Sequence, residues 1–424
     1  MTSTPASHAR PSVKFVLLVG VMAALPAVTT DMYLPSLPEV ATDLDTTPAL
    51  VQGTITGVLI GGAIGQLLAG PITDRFGRRA PVMVGVAIHV VASILCMLTP
   101  GILPLLALRV IQGVGNAAAM TTAMAVIRDR YTGAAASAIL SRLMLVVGVA
   151  PMLAPTLGSF VAGVAGWRAV FAVLGLMGIG LLVLVWRFLP DTLPVHLRRT
   201  DGVRGAVRGY RILLRDRYFM ALTILPGLAL GALMSYVAGS PFVLRGGYGL
   251  SETEFALLFA INGAGLVLGA QINAGLVRRV APLRILRVAL PLALGMGVVL
   301  LVVSVRETGG LLGLMIPLWF LLTINSVVPP NASALALSRH GERAGSAAAV
   351  IGAAQAGIAG VVSPLVGVLG EDAVAMSTVI LGVVVVAFLI LAFATPAYRR
   401  GRFDLEHLSI DGHGAARPEA DTVS

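Results

Sequence analysis

Charge is scarce in this chain. Asp, Glu, Lys and Arg together supply 12% of its 424 residues, about half the share found in a soluble domain, which excludes an ordinary water-soluble fold. Lysine is almost missing, with Lys14 its only example, and codon usage in a GC-rich genome accounts for that better than function does. The single cysteine, Cys96, lies in an apolar run, so neither a disulfide framework nor a thiolate metal site is expected. Of six histidines only His89 falls in an apolar segment, and no HExxH or GxSxG pattern accompanies it. A membrane enzyme would need such a nucleophile or metal constellation, so no enzyme, metal or cofactor is expected.

What is present is apolar surface: 57% of residues are hydrophobic and the mean hydropathy is +0.92. The 49 glycines and 24 prolines sit inside apolar runs, where membrane helices tolerate them because neighbouring helices satisfy the freed backbone groups. The chain reads as an all-α polytopic membrane protein, with the lipid bilayer as its first partner. A net charge of +10 could suit nucleic acid, but the arginines fall in short loops without an aromatic-interleaved basic patch. No nucleic-acid partner is expected.

A helix needs about 20 apolar residues to cross the hydrocarbon core. That rule gives twelve spans: 15–35, 51–70, 81–99, 101–124, 139–162, 168–189, 218–242, 254–276, 284–304, 310–332, 345–368 and 374–395. Residues 10–28 could be read as a cleaved signal peptide, but the apolar segment runs past the usual length. The longest connection lies between spans six and seven. The expected organisation is a short N-terminus (1–14), a six-helix bundle (15–189), a central loop (190–217), a second six-helix bundle (218–395) and a polar tail (396–424). Arg75, Arg78, Arg79, Arg128 and Arg130, the arginines of 198–217, and later Arg278, Arg279, Arg339 and Arg343 all fall on one side. The positive-inside rule puts that side, with both termini, in the cytoplasm. The halves also echo each other: "AGPITDRFGRRAP" follows span two and a shortened "AGLVRRVAP" follows span eight, the kind of repetition many secondary transporters carry.

Against this background a few residues stand out. Asp31, in "VTTDMYLPSLP", interrupts a run fit for lipid, where a charge costs between roughly 3 and over 10 kcal/mol on different scales. Arg109, in span four, is its clearest basic counterpart. A static ion pair or a shifted span boundary would explain both. The functional alternative is a proton site: burial disfavours the carboxylate's charge, a nearby cation favours it, and a group held between the two can load and release a proton. Arg109 cannot give up its proton and would act as the fixed charge. Arg109, Gln112 and Asn116 share one helical face, as do Asn262, Gly265, Gly269 and Asn273 in span eight; each face reads equally as an interhelical seam or a wet cavity wall. "GVAPMLAPTLG" sets Gly148, Pro151, Pro155 and Gly158 on one face of span five, a seam that can pack closely and bend. In "GPITDRFGRR", Gly70 and Gly77 are expected to permit turns in a short loop, and Asp74 with Arg75, Arg78 and Arg79 to form a charge cluster. Asp129 is a candidate partner for Arg78, and the start of span eleven, at Gly345 and Ser346, a candidate for Asp74.

With these residues in hand, the chain resembles the major facilitator superfamily. "GPITDRFGRR" looks like that family's signature loop, while "RVIQGVG" and "GVAPMLAPTLG" resemble the helix-four and helix-five motifs of its drug:proton antiporters. "DMYLPSLP", "GWRAVF", "YVAGSPFVL", "LLFAINGAG", "PPNASALAL" and "AGSAAAVIGAAQ" are similar to the bicyclomycin/chloramphenicol-resistance (Bcr/CflA) group. The resemblance covers residues 28 to about 395. It implies a fold of two pseudo-symmetric six-helix bundles and a monomeric carrier of the bacterial cytoplasmic membrane, one that exports small amphipathic drugs in exchange for protons. On that reading Asp31 takes the proton, Arg109 couples its charge to the helix-five seam, and the Asp74–Arg78 cluster gates the inner face. Where some related antiporters have a second acid two turns before the first, this chain has Ala23, so one proton per cycle is the simpler expectation. Candidate cavity residues are Tyr33, Gln112, Asn116, Tyr236, Asn262 and Gln355. A proton-coupled importer of a metabolite or sugar is the rival on the same fold, and a receptor or scaffold the more distant one.

Overall fold

The computed structural model describes residues 13–131, 139, 143, 146, 153–198, 202–370 and 372–395, and among these every regular element is helical. Helix α1 (Val13–Asp31) passes through a single 3-10 turn into the short α2 (Leu37–Asp43). Then come α3 (Pro48–Phe76), α4 (Arg79–Met97), α5 (Ile102–Arg130), α6 (Leu153–Ala165) and α7 (Trp167–Phe188). The second half holds α8 (Gly202–Arg215), α9 (Arg217–Ser240), α10 (Glu252–Leu276), α11 (Pro282–Arg306), the broken pair α12 (Gly310–Asn325) and α13 (Val328–Arg339), α14 (Ala344–Val362), α15 (Leu365–Leu369) and α16 (Ala373–Ala394). Eleven of the described stretches are long and apolar enough to cross a bilayer. The remaining expected span, 139–162, lies partly outside the described residues, with Gly148 and Pro151; its described continuous part belongs to α6, which carries Pro155 and Gly158.

Two expectations need correction. Span two does not end at residue 70: α3 continues to Phe76, so Gly70, Asp74 and Arg75 are helical and do not form a loop. Hydropathy marks only the part of a helix that suits hydrocarbon, and this one winds on past it, with Asp74 in i,i+4 contact with Arg78. A Cβ on Gly70 would meet nothing within 4 Å, whereas Gly77 turns the chain at φ +89°. Only Gly77 is a turn glycine. The central segment is likewise no plain loop. Helix α8 lies within it, with Ala206, Gly209 and Leu213 buried on one face and Arg208, Arg211 and Arg215 exposed on the other.

Within each half the tightest packing runs along glycines. A Cβ on Gly61 would lie 2.0 Å from the Val110 carbonyl oxygen, and one on Gly113 would lie 2.1 Å from that of Val58, so α3 and α5 meet backbone to backbone. In the second half, Gly265 meets Trp319 and Thr323, and Gly269 lies as close to the Thr323 carbonyl, sealing α10 to α12. Spans two and four in one half thus pack as spans eight and ten do in the other, by the small-residue approach that replaces hydrophobic drive in lipid.

The halves meet along α3 and α14. Gly367 N–H donates to Gln52 Oε1 at 3.1 Å, Gly360 faces Leu59 and Ile60, and Gly352 leaves room for the Gln66 amide. At the end opposite the arginines, Arg245 Nη1 also donates to the Pro35 carbonyl at 2.8 Å. Toward the arginine-rich end α3 and α14 part around a cavity of about 710 Å³, whose walls include Gln66, Asp74, Met120, Arg128, Tyr210 and Ser346. Helix α8 bridges its mouth: Tyr210 Oη donates to the Leu67 carbonyl at 2.9 Å, and Gly209 sits against Ser346.

Candidate transport site

Arg109 is completely buried. Its guanidinium donates to the Thr29 carbonyl at 3.3 and 3.4 Å and to Gln112 Oε1 at 2.6 Å. It also lies over the rings of Tyr33 and Phe171, at 4.9 and 5.5 Å, a desolvated cation–π arrangement. Gln112 is held in turn: its Nε2 donates to Ser93 Oγ at 2.7 Å, and that hydroxyl donates to the His89 carbonyl at 2.7 Å. Asn116, one turn on, sits buried beside the His89 ring without closing a hydrogen bond.

Asp31 is also buried, as the last residue of α1. Among the described residues it forms no ion pair, with Arg109 or any other cation. The static ion pair that the sequence left open is not made. Arg109 instead grips the backbone two residues before Asp31 and the aromatic ring two residues after it. Beside it, Gly158 of α6 packs against the carbonyl of the next residue, Met32. The sequence places both charges in apolar runs but does not say which groups of residues 29 to 33 the guanidinium meets.

The expected cavity residues do not line the described cavity. Tyr33, Gln112, Asn116, Tyr236 and Asn262 are each at most 2% exposed and tie helices together; Asn262 Nδ2 donates to Tyr236 Oη at 2.9 Å. Gln355 is half-buried on α14 but outside that cavity's walls. Further along α10, Gly265 and Gly269 form the packing seam described above, and Asn273 Oδ1 accepts from Asn331 Nδ2 at 2.6 Å. That face is an interhelical seam.

At the arginine-rich end, Arg78 is 3% exposed and divides its guanidinium between two acids. Nη1 donates to Asp74 at 2.7 Å, and Nε and Nη2 donate to the Asp129 carboxylate at 2.8 and 3.3 Å. The Asp129 contact is the one expected. Asp74, however, faces Arg78 and not α14; Gly345 and Ser346 stand across the cavity from it. Arg79 turns away to the Trp186 carbonyl, and Arg75 lies over Phe76. Sequence reasoning missed Asp191, which accepts from the Arg78 backbone N–H at 2.9 Å and from Arg198 at 2.7 Å. A Cβ on Gly77 would fall 2.1 Å from Asp191 Oδ2, so the glycine is required for space as well as for φ. The one available signal was the proline-flanked "PDTLP" that follows span six.

Removing the cation from two acids leaves both uncompensated. Arg78→Gln is therefore expected to destabilise the protein by about 3 kcal/mol or more, read as a fall in Tm in detergent, while Asp74→Asn costs less because Asp129 still pairs. An unchanged Tm for the arginine variant would show that the cluster does not hold the structure.

The second half has its own clamp. Asp216 caps α9 through the Tyr218 and Phe219 N–H groups and accepts from Arg339 Nε at 2.6 Å and His340 Nε2 at 3.0 Å. Burial works to raise its pKa, but the hydrogen bonds from Arg339, Phe219 N–H and His340 outweigh it and hold the carboxyl at about 2. A carboxyl with a depressed native pKa adds stability above its unfolded value and loses that contribution as pH falls. Wild type should therefore exceed Asp216→Asn in Tm above about pH 4, with the gap closing toward pH 2.

Two halves with matching glycine seams, buried polar side chains at lipid depth and a cavity between the halves at one end define a membrane carrier. The chain belongs to the Major Facilitator Superfamily, whose description it matches over residues 19–364. It is a multi-pass secondary transporter, not an enzyme. It is 34% identical over 391 residues to the uncharacterized MFS-type transporter YdgK of Bacillus subtilis (strain 168), covering 92% of this chain and 96% of that one. It is 29% identical to a bicyclomycin resistance protein homolog of Haemophilus influenzae, over 92% of this chain and 98% of the relative. It is 30% identical to a chloramphenicol resistance protein of Pseudomonas aeruginosa, over 75% and 76%. Among solved structures, a D-xylose-proton symporter superposes with a TM-score of 0.70 at 16% identity, over 91% of this chain and 99% of that one, which shows the shared fold.

Proposed function

We propose that the chain is a monomeric carrier of the bacterial cytoplasmic membrane that exports small amphipathic molecules in exchange for protons, with Asp31 as the proton-carrying group. The observation that carries this reading is the placement of Asp31: among the described residues it is the one buried acid and pairs with no cation, and it lies at the end of a membrane-crossing helix. A carboxyl so placed is most easily kept by carrying a proton, and intramembrane acids commonly mark proton relays. Arg109 then acts by anchoring the last turn of α1 through the Thr29 carbonyl, so that a shift of α5 moves the acid. Protons are the coupling ion, and no cofactor takes part.

The arginine asymmetry supports an orientation with the cavity end, and both termini, toward the cytoplasm. Cargo would enter there, past Met120 and Met124, whose flexible side chains suit loose selectivity. The resistance-related names of two relatives support export. The likeness to a D-xylose-proton symporter suits an importer equally well at the level of fold, and fold does not decide direction.

Expression in a pump-deficient bacterium, with susceptibility measured across chloramphenicol, bicyclomycin, sulfonamides and cationic dyes, tests the proposal. Raised tolerance to at least one compound, lost when the proton gradient is dissipated, is expected. No protection from a well-expressed protein, together with a single-substrate uptake defect in a deletion strain, would replace export by import.

A further inference from the structure

A second concavity lies on the outer side of the first half, at its arginine-rich end, away from the cavity between the halves. It has a volume of about 650 Å³ and is formed where the start of α4 and the ends of α5 and α7 meet, with Arg79, Arg130 and Arg187 in its wall beside Trp186 and Phe188. Among the described residues no carboxylate pairs with any of these three arginines, and the wall itself contains no acid. Arg130 and Arg187 instead rest on aromatic faces, 5.3 Å from the Phe15 ring and 5.6 Å from the Phe188 ring. Arg79 spends Nη2 on the Trp186 carbonyl, while its Nε is buried and has no hydrogen-bond partner. A buried guanidinium donor without an acceptor is costly unless something supplies one.

Three guanidinium groups around one recess suit an oxyanion, and phosphate is the one their donor geometry matches best. The flanking residues say where that phosphate comes from. Trp186 is 59% exposed and Phe188 48% exposed at the end of a membrane-crossing helix, the depth at which aromatic belts meet headgroups. Basic pockets between membrane helices at this level recognise lipid headgroups.

We propose that this recess binds the phosphate of an anionic phospholipid from the adjacent leaflet, set among Arg79, Arg130 and Arg187, with the lipid's glycerol and upper acyl chain lying along Trp186 and Phe188. The site is separate from the proton and cargo machinery and does not depend on the direction of transport. It gives three arginines that pair with no acid among the described residues a shared anionic partner, and secures the junction of α4, α5 and α7 to the membrane.

Native mass spectrometry of the purified full chain tests it, with phosphatidylglycerol and phosphatidylcholine of matched acyl chains added to detergent. Wild type should retain phosphatidylglycerol and discriminate against phosphatidylcholine. Arg130→Gln combined with Arg187→Gln should weaken phosphatidylglycerol binding roughly 30-fold, the effect of removing two arginines from a lipid surface. Arg278→Gln combined with Arg279→Gln, a pair at the same end of the molecule, should leave it unchanged. Equal binding of the two lipids by wild type would overturn the proposal without reference to any variant. So would an unaffected Arg130/Arg187 variant, or an equal loss in the Arg278/Arg279 control. Displacement of the lipid by inorganic phosphate at equal concentration would overturn the lipid source in favour of soluble phosphate.

Discussion

Replacing Asp31 with Asn is expected to reduce drug-driven proton movement to background while leaving the protein folded. The two side chains have nearly the same shape, so the packing of α1 against α6 is preserved. Asparagine carries no charge and cannot titrate. Asparagine matches the protonated acid in shape and charge, and where the acid is ionised it removes a charge that costs between roughly 3 and over 10 kcal/mol at this depth, so the Tm should be unchanged or raised, opposite in sign to the damage of an ordinary core substitution. Drug binding in detergent should survive, since the carboxylate stands outside the described cavity. Asp31→Glu keeps a titratable group one methylene further out and should restore part of the exchange. The measurement is proton release on drug addition to proteoliposomes, with Tm recorded in parallel. An Asn variant that still moves protons in step with drug would remove Asp31 from the mechanism, whatever its Tm.

That expectation starts from the sequence, which shows the acid but not its surroundings. The sequence places Asp31 and Arg109 in the membrane because each interrupts an apolar run, and a run is visible in one dimension. Whether they touch depends on rotation about α1, which a twelve-span hydropathy pattern does not constrain. The same limit explains the cavity residues. Tyr236 and Asn262 are polar at lipid depth, and that much is legible; their mutual hydrogen bond at 2.9 Å satisfies them internally. Gly70 and Gly77 look alike in "GPITDRFGRR", yet only Gly77 has positive φ and a carboxylate where its Cβ would be. The carboxylate comes from Asp191, more than a hundred residues away. Helix α8 escaped for a different reason. Its arginines read as topology signals, and the buried Ala206, Gly209 and Leu213 are too few and too small to mark a helix without the α3 and α14 surfaces they meet. The spans were legible because lipid acts on each helix separately, whereas the contacts of the site are set between helices.

The close approach of α6 to α1 carries the other large effect. A Cβ on Gly158 would lie 1.9 Å from the Met32 carbonyl oxygen and 2.8 Å from its carbonyl carbon. Both atoms are backbone, so neither can swing away, and Gly158→Ala must push the helices apart beside Asp31. Overpacking of this kind typically costs about 1–3 kcal/mol, and a lower Tm is expected. The functional loss should exceed the structural one, because the displaced seam adjoins the proposed proton-carrying group and admits water to it. Protons moved per drug exported should therefore fall well before drug binding does. Gly180→Ala is the matched control: its Cβ would meet nothing within 4 Å, and alanine is the better helix former by about 1 kcal/mol, so its Tm should hold or rise with coupling intact. If Gly158→Ala lowers Tm yet keeps the wild-type proton-to-drug ratio, the seam is a packing contact alone. If it changes neither, the helices are not as close as the structure places them. A reduced ratio at retained binding would tie the bending face of α6 to the protonation of Asp31, through nothing more than the absence of one methyl group.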